Sequence, residues 1–527
     1  MVEPLRAGSP AKEQSPTNVP VARAVVTLNL LLAGVVLAKD LLLAAYLGVS
    51  WQSDAFFLAF FLPDAIGSNI LAAALATALV PTLVAMRSTN ALWRVVIRRY
   101  ALPTCLGSIL LAGLVFWLRT PLLALIADKQ SASAGSLAGE LLGVILPIMV
   151  LYPLTAVASA VLQAQQRFLL SALGPVIQNG VLLAVLALLC RTATSLDSGI
   201  YLVAAALSLA ALCALLVVGW GAARQLAVHA SSHPADLDKP YRPSQQLLPW
   251  LLIAVSTQLM LLGERFWAGR LGQGVISALN YAYRLAQFPL WTFVSALAMV
   301  TLPALSLHAA GDRAKMSELA QESLLLALLL TIPTGLTLAV LSRPIVTVLM
   351  QHGNFGPASV LYTSQILTGY ALSLAPAAIV MLGQRLFLAK GQLLVPACSC
   401  LFASGITFLI DGWLVAVLGP RGLGCGAALG AAFSALLTLY LLKRVGLGLG
   451  NYLRSQAASL LLGHLPFAVA LLTSALTWPT LAEQGPLGRT IWLFASALCL
   501  PISWMLGLRR ARLLRPILAF LGIGRPK

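Results

Sequence analysis

The sequence predicts an all-α, polytopic membrane protein with about 14 transmembrane helices, built from apolar spans joined by short loops. Of its 527 residues, 59% are hydrophobic and only 9% are charged, whereas soluble domains carry about 25% charged residues. Apolar segments of about 20 residues, long enough to cross a hydrocarbon core of about 30 Å, recur along the chain. The mean hydropathy of +0.91 leaves no room for a separate soluble domain.

The first apolar run is too long for a signal peptide, so we expect it to be retained as a span. The seven cysteines show no metal-type spacing with histidine, and neither a metal nor a cofactor is predicted. The predicted spans cover residues 24–47, 55–86, 101–119, 140–164, 168–190, 198–222, 246–264, 273–307, 322–341, 359–384, 394–418, 423–442, 457–479 and 488–507.

Basic residues are distributed unequally between the two sides of these spans. Of the 34 Lys and Arg residues, 24 fall in inner segments, eight in outer segments, Arg265 among them, and two inside spans. Positive charge accumulates in cytoplasmic loops, so both termini are predicted to be cytoplasmic. The net charge of +18 is therefore a topology signal, and no nucleic-acid partner is predicted.

Two weak internal similarities suggest duplication of a six-span unit. Residues 78–83 are similar to residues 300–305, and Gln166-Arg167-Phe168 with Pro175 is similar to Ala389-Lys390-Gly391 with Pro396. They predict two six-helix lobes around a central cavity, followed by a C-terminal helix pair. The predicted division is a cytoplasmic tail at 1–23, an N-terminal lobe at 24–222, a cytoplasmic linker at 223–245, a C-terminal lobe at 246–442, a helix pair at 443–507 and a basic cytoplasmic tail at 508–527.

Charged residues inside spans are the most informative feature, because each costs at least about 3 kcal/mol in hydrocarbon. Lys39, Asp64 and Arg284 are predicted at a similar depth of roughly 12 to 17 Å from the outer surface, at a rise of 1.5 Å per residue. A shared polar cavity follows, in which the two cations hold an anionic group such as a phosphate and Asp40, Asp64 and Asp411 balance charge or couple to an ion. The alternative is that the charges only neutralise each other as structural pairs.

Several stretches then resemble the MurJ/MviN family of lipid-linked precursor flippases, within the superfamily that also holds the MATE exporters. The string Ser277-Ala-Leu-Asn-Tyr-Ala-Tyr-Arg284-Leu285 is fairly specific. The other resembling stretches are Ala38-Lys39-Asp40, Ser53-Asp54-Ala55-Phe56-Phe57, Leu62-Pro63-Asp64, Val80-Pro81, Gly263-Glu264-Arg265, Gln351-His-Gly-Asn-Phe355 and Arg385-Leu-Phe-Leu-Ala-Lys390-Gly391.

The resemblance implies cavity roles for Lys39 and Arg284, which match cationic positions of the family. It departs from the family at Ala33, at Gly67-Ser68 and at Ala72, where two cationic sites and a glutamate are expected, and at Tyr283, where an aspartate is expected. The predicted substrate-binding residues are Lys39, Arg284, Asp40, Asp64 and Asp54, and the predicted ion-coupling or cavity residues are Asp411 and Glu264.

The resemblance also implies a flippase, not an enzyme, that moves an undecaprenyl-diphosphate-linked saccharide from the inner to the outer leaflet of the bacterial cytoplasmic membrane by alternating access. The cargo is either a peptidoglycan precursor of the lipid II type or an exopolysaccharide repeat unit. We expect a monomer in contact with membrane lipids, and association with cell-wall or polysaccharide assembly enzymes stays open.

Two other functions remain as alternatives. A MATE-like, cation-coupled drug exporter would use Asp40 and Asp64 as its working residues. A membrane-embedded polysaccharide polymerase or ligase would need reactive residues in an outer loop, and the longest such loop, 120–139, is poor in them. The Asp236-Leu237-Asp238 motif lies in an inner loop too short to build a nucleotide-sugar domain.

Overall fold

The structure is a computed structural model that describes residues 19–85, 96–126, 132–192, 195–228, 247–294, 297, 305, 312–482, 485–511 and 513. Regular structure within these ranges is helical, without strands, so the predicted all-α class is confirmed. By length and composition, eleven of the described helices can cross a membrane, or twelve if one bent pair is a single span. The count of fourteen stays a prediction, and residues 1–18, 236–238 and 514–527 lie outside the described residues.

Nine α-helices lie in the described part of the N-terminal half. Its second span runs from Trp51 to Val84 and includes a π-helical segment, Asp64–Ala72, which begins directly after Pro63. A second π-helical segment, Val96–Ala101, leads into the next helix. The helices are α1 (Val19–Leu47), α2 (Trp51–Pro63), α3 (Ala73–Ala85), α4 (Leu102–Trp117), α5 (Arg119–Ile126), α6 (Ala132–Ile145), α7 (Ile148–Ala164), α8 (Phe168–Thr192) and α9 (Leu196–Val228).

Among the residues described from Leu247 onward there are ten α-helices, of which the last two form a pair. The tenth predicted span, 359–384, is two helices that meet at a bend of 47°. The helices are α10 (Leu247–Ala268), α11 (Val275–Pro289), α12 (Arg313–Val340), α13 (Ser342–Met350), α14 (Pro357–Leu372), α15 (Leu374–Ala389), α16 (Leu394–Leu418), α17 (Pro420–Arg444), α18 (Leu449–Ala482) and α19 (Gly485–Arg510).

Helix packing groups α1–α9 and α10–α17 into two halves. Within the first half, α1 packs on α8, α2 on α6, and α7 on α9, and within the second, α10 packs on α16 and α14 on α17. The halves meet where α2 packs on α11 and α1 on α13, while α18 packs on both α19 and α12. This grouping agrees with the two predicted lobes and helix pair, whose boundaries stay predictions.

Glycines on α17 bring it into close contact with α16. A Cβ atom added at Gly426 would lie 1.8 Å from Asp411 Oδ1, and one at Gly430 would lie 2.1 Å from Thr407 Oγ1. Small residues at this spacing let two helices approach closely in a membrane. The contact fixes Asp411 against the backbone of α17, inside the C-terminal half.

Candidate functional site

Three charged side chains meet where the two halves of the molecule join. Asp40 on α1 accepts a contact from Lys39 Nζ at 2.9 Å and one from Arg284 Nη1 on α11, also at 2.9 Å, and both cations use the same carboxylate oxygen, Oδ1. The structure therefore brings Arg284 to the adjacent pair Lys39 and Asp40, although Arg284 and Asp40 are 244 positions apart in the sequence. We call this set of Lys39, Asp40 and Arg284 the central triad.

Burial differs within the central triad. The side chains of Lys39 and Asp40 are 8% and 9% exposed, whereas the Arg284 side chain is 29% exposed. A buried lysine or aspartate requires a partner, because removing a lone charge from water costs several kcal/mol. The triad carries two positive charges and one negative charge, and its excess positive charge is accessible at the guanidinium of Arg284.

Asp64 lies beside the central triad without joining it. It begins the π-helical segment Asp64–Ala72, and its Oδ2 atom accepts a hydrogen bond of 3.1 Å from Asn69 Nδ2. The carboxylate interacts electrostatically with Arg284 and with Lys39, but it forms no direct ion pair with any described residue. The three residues predicted at one depth thus share one electrostatic environment.

Asp54 occupies a different place, at the start of α11. Its two carboxylate oxygens accept hydrogen bonds from the backbone N–H groups of Gly274, at 2.5 Å, and Ser277, at 2.7 Å. An aspartate in this position caps a helix by satisfying amides that lack a partner in the first turn. Because Asp54 belongs to α2, the cap joins the two halves of the molecule.

A second inter-half contact lies at the end of α1. Asn354 donates from Nδ2 to the carbonyl oxygen of Tyr46 at 2.6 Å and from its backbone N–H to that of Ala45 at 2.8 Å. Gly48, at φ +63°, lies so close to the Asn354 carbonyl that a Cβ atom would be 2.4 Å from it. We call the contacts of Asp54 and Asn354 the outer seal, after the side that the predicted topology places outside.

A separate charged cluster lies within the C-terminal half. Glu264 on α10 accepts a hydrogen bond from the hydroxyl of Tyr370 on α14, and Asp411 on α16 interacts electrostatically with Glu264. Both carboxyl groups are in residues only 1% exposed. Neither oxygen of Asp411 and only one oxygen of Glu264 has a hydrogen-bond partner among the described residues. We call Glu264, Arg265 and Asp411 the C-terminal cluster.

Arg265 supplies the positive charge of the C-terminal cluster. Its Nη2 atom donates to Asn280 Oδ1 at 2.8 Å, and its guanidinium carbon lies 4.2 Å from the centre of the Phe61 ring. Assigning Arg265 to an outer loop was wrong, because it is 7% exposed and α10 continues to Ala268. The adjacent Glu264 could have indicated this burial from the sequence. An acidic and a basic residue side by side add no net charge to a span, so the span can continue through both of them.

Other site residues were not predicted at all. Tyr370 and Asn280 are uncharged, so hydropathy does not distinguish them from packing residues, and only the fold brings them to charged partners. At Gly67, where the family carries a basic residue, a Cβ atom would lie 2.9 Å from the Met149 Cα atom. Helix α7 therefore fills the space of the missing side chain. Within the described ranges, no group of three or more His, Cys, Asp or Glu residues forms a metal-binding cluster.

Apolar spans in two halves, joined by the ion pair between Asp40 and Arg284, are the features of a multi-pass membrane transporter. The family model described as lipid II flippase MurJ matches residues 43–484. The chain therefore belongs to the lipid II flippase MurJ family, a bacterial family of lipid-linked precursor flippases. Lys39 and Asp40 lie just before the matched range, whereas Arg284 lies within it.

Individual relatives agree with this assignment. The lipid II flippase MurJ of Burkholderia cenocepacia is 27% identical over 430 residues, which cover 78% of this chain and 81% of that protein. A solved structure of lipid II flippase MurJ in an inward closed conformation superposes with a TM-score of 0.71 at 21% identity, covering 93% of this chain and 99% of that one. An inward-facing MATE-family multidrug resistance transporter superposes with a TM-score of 0.62 at 15% identity, covering 80% and 95%. The two structures share the fold of this chain.

Proposed function

We propose that the protein translocates a polyprenyl-diphosphate-linked saccharide from the inner to the outer leaflet of the bacterial cytoplasmic membrane. Family membership supports a lipid-linked precursor as the class of cargo. The observation that carries the proposal is the central triad, which places an excess positive charge between helices of the two halves. A diphosphate is the part of such a cargo that needs cationic partners inside a membrane.

In the proposed binding step, the diphosphate of the cargo replaces Asp40 as the partner of Lys39 and Arg284. Without cargo, Asp40 neutralises one charge and keeps Lys39 and Arg284 from lying unpaired in a nonpolar region. A diphosphate competes with this single carboxylate oxygen, because it offers several oxygens and more negative charge. The planar guanidinium of Arg284 suits two phosphate oxygens at once, which a lysine ammonium does not.

Alternating access requires that the outer seal open once the cargo is bound. The Asp54 cap and the Asn354 contacts are made by backbone amides and carbonyls of helix ends, so breaking them exposes polar groups to water at the membrane surface. In this proposal, Asp54 acts in the gate and not directly on the cargo. Its predicted role in substrate binding stays a prediction.

The C-terminal cluster is proposed to couple transport to a cation. With two acidic residues and one basic residue, it gains charge balance by taking up one proton or one monovalent cation. The unpartnered oxygens of Asp411 and Glu264 are suitable acceptors. Transport measured in proteoliposomes under separate sodium and proton gradients tests this: Asp411→Asn is expected to abolish the response to one gradient, and a response equal to that of the unaltered protein would contradict the role.

The MATE-like exporter is less compatible with the geometry, although that family shares the fold. A cationic drug would use the carboxylates of Asp40 and Asp64 as its acceptors. Asp64 already interacts electrostatically with Arg284 and Lys39, and Asp40 is paired with these same two cations. Displacing both of them would leave two positive charges beside a positive ligand. The site therefore favours an anionic cargo.

The test is the variant Arg284→Ala, with Arg270→Ala as its matched control. Arg270 is exposed, lies on a short loop, and contacts the Phe266 ring at 3.4 Å, outside the triad. We expect Arg284→Ala to lower flipping of an undecaprenyl-diphosphate-linked saccharide in proteoliposomes at least about a hundredfold, because charge-assisted contacts to a phosphate are worth roughly 1.5 to 3 kcal/mol each. Arg270→Ala is expected to flip at the unaltered rate.

Two cargoes distinguish the finer assignments. Flipping of the peptidoglycan precursor and of an exopolysaccharide repeat unit, each on the same polyprenyl diphosphate, is compared in the same vesicles. In parallel, the protein is expressed in cells depleted of their own flippase, and restored growth is the measure of complementation. Normal flipping of both cargoes by Arg284→Ala, in protein that remains folded in the membrane, would contradict the role of the triad.

The remaining assignments belong to the same proposal. The excess of basic residues in alternate loops supports cytoplasmic placement of both termini. We propose a monomer as the working unit, because the triad, the outer seal and the C-terminal cluster are all built from one chain.

A further inference from the structure

An apolar groove of about 500 Å³ lies on the N-terminal half, away from the central triad. Helices α4 and α9 both pack along α7. The groove lies between α9 and the π-helical segment Val96–Ala101 that leads into α4, with α7 as its floor. Val157 and Val161 of α7 form the floor, and Leu215 and Leu226 of α9 line one wall. The lining carries no charged residue, so its occupant is a hydrocarbon chain.

The C-terminal half has the same helix arrangement with the space filled. There α12 and α17 both pack along α15, and α18 packs on both α12 and α17. Leu449 of α18 is 2% exposed and belongs to one apolar core with Leu324 of α12 and Leu442 of α17. In the C-terminal half, α18 thus covers the position that is an open groove in the N-terminal half. The groove of the N-terminal half has room for another apolar occupant in place of a helix.

The rim of the groove is basic. Arg98 and Arg99 are exposed on the π-helical segment that lines the groove, and Arg224 is exposed on α9 between the lining residues Ala223 and Leu226. Arg224 lies 5.4 Å from the ring of Trp220, which is 64% exposed. Exposed tryptophan and arginine side chains of this kind mark the level of the lipid headgroups.

No acidic residue opposes this rim in the described segments next to it, Val96–Ala101 and the last three turns of α9. The linker at 223–245 contains Asp236 and Asp238, but most of its residues beyond α9 are polar and unsuited to an apolar groove. An occupant with hydrocarbon chains and a negative headgroup satisfies both the lining and the rim. Basic pockets between transmembrane helices on the cytoplasmic side recognise anionic lipid headgroups in this way.

We propose that this groove is a binding site for an anionic phospholipid of the leaflet on the side of the basic loops. The acyl chains lie along α7, and the phosphate group contacts Arg98, Arg99 and Arg224. The lipid takes the structural place that α18 has in the other half. The site is separate from the triad, and the proposal does not depend on which cargo is flipped.

Native mass spectrometry of the full chain in detergent tests the proposal, with dioleoyl-phosphatidylglycerol and dioleoyl-phosphatidylethanolamine added in equal amounts. We expect the unaltered protein to retain phosphatidylglycerol preferentially. The triple variant Arg98→Gln/Arg99→Gln/Arg224→Gln is expected to weaken phosphatidylglycerol binding about a hundredfold, from the contribution of each basic residue near a membrane surface.

A second variant tests the groove without changing its charge. Gly219 lines the groove, and a Cβ atom added there meets only Leu215 Cδ1, at 3.8 Å, so Gly219→Leu fills the groove without displacing backbone. It is expected to abolish retention of the lipid. Gly113→Leu is the matched control, because Gly113 is exposed on α4 and has nothing within 4 Å.

The outcomes separate clearly. Equal retention of the two phospholipids by the unaltered protein would overturn the proposal, as would equal losses in Gly219→Leu and Gly113→Leu. A polyprenyl diphosphate that is recovered with Gly113→Leu but lost in Gly219→Leu would also overturn it, because the groove would then belong to the cargo. Flipping assays on the same variants are independent of this result.

Discussion

The central triad and the C-terminal cluster contain the same number of charged residues but differ in how those charges are satisfied. In the triad, every charge has a partner, and the partners come from the two halves of the molecule. In the C-terminal cluster, Asp411 has no hydrogen-bond partner among the described residues, and all three charges belong to one half. The triad therefore depends on how the halves are arranged. In the cluster, Glu264 and Asp411 are held by packing within one half, and Arg265 also contacts the other half, at Phe61.

The surrounding contacts follow the same division. Contacts between the halves are made by polar groups, such as Asp54 with the backbone amides of α11. When the halves separate, water can replace the protein as the hydrogen-bond partner of these groups. Around Asp411, the glycines of α17 lie in close contact with α16, so that the two helices fit together in one position only. The difference indicates that motion occurs between the halves while the C-terminal cluster keeps its geometry. Four predictions test this comparison, from the largest expected effect to the smallest.

Replacing Asp40 is expected to have the largest effect on stability. Asp40→Asn leaves Lys39 and Arg284 without their shared anion, and breaking a buried ion pair from one side costs about 2 to 4 kcal/mol, allowing for the partial exposure of Arg284. Thermal unfolding in detergent should show a lower Tm. The double variant Lys39→Met/Asp40→Asn should recover part of the loss, and an unchanged Tm in Asp40→Asn would contradict the pairing.

The packing of α17 on α16 is expected to be the next most sensitive feature. Gly426→Ala places a Cβ atom where Asp411 Oδ1 lies, and such overpacking costs about 1 to 3 kcal/mol. The measurement is again Tm in detergent. Gly405→Ala is the control, because Gly405 lies on the exposed side of α16 with nothing within 4 Å; equal Tm values for the two variants would contradict a rigid α16–α17 contact.

Opening of the outer seal is expected to respond more modestly to Asp54→Ala. Loss of a helix cap is worth about 1 kcal/mol, which shifts the balance towards an open outer side about fivefold. Double electron–electron resonance between labels at positions 49 and 271, in a chain with its seven cysteines replaced, measures the distance across the seal.

The control for this experiment is a helix cap within one half. Asp312 caps α12 by accepting a 2.9 Å hydrogen bond from the Lys315 backbone N–H. Asp312→Ala removes a cap of the same kind without touching the contact between the halves. If both variants shift the label distances equally, the Asp54 cap is not a gate.

Replacing Asp411 is expected to have the smallest effect on stability. Asp411→Asn keeps the size of the side chain and removes a carboxyl group that has no ion pair or hydrogen bond with any residue the structure describes. The free energy of unfolding should therefore change by less than about 1 kcal/mol. The Tm of Asp411→Asn is measured in detergent and compared with the Tm of Asp40→Asn in the same detergent. A loss as large as that of Asp40→Asn would show that Asp411 has a partner and would remove the contrast between the two sites.

Much of the site was predictable from the sequence because charge inside an apolar span is rare. Lys39, Asp40, Asp64 and Arg284 were recognised on that basis, and the structure brings the four into one electrostatic environment. The bend at residue 373 and the short helix α13 were not predicted, because hydropathy measures how apolar a segment is and not how its backbone is directed.

The sequence by itself determined that this chain is a helical membrane protein, since segments of that length and composition are stable only across a bilayer. It also predicted that Lys39, Asp40, Asp64, Arg284 and Asp411 lie inside apolar spans. Only the tertiary structure decided that Arg284 and Lys39 share Asp40, that Asp54 caps a helix of the other half, and that Arg265 is buried. The physical reason is that electrostatic and hydrogen-bond energies depend on distances between helices far apart in the chain, and those distances are set by the packing of all the helices together.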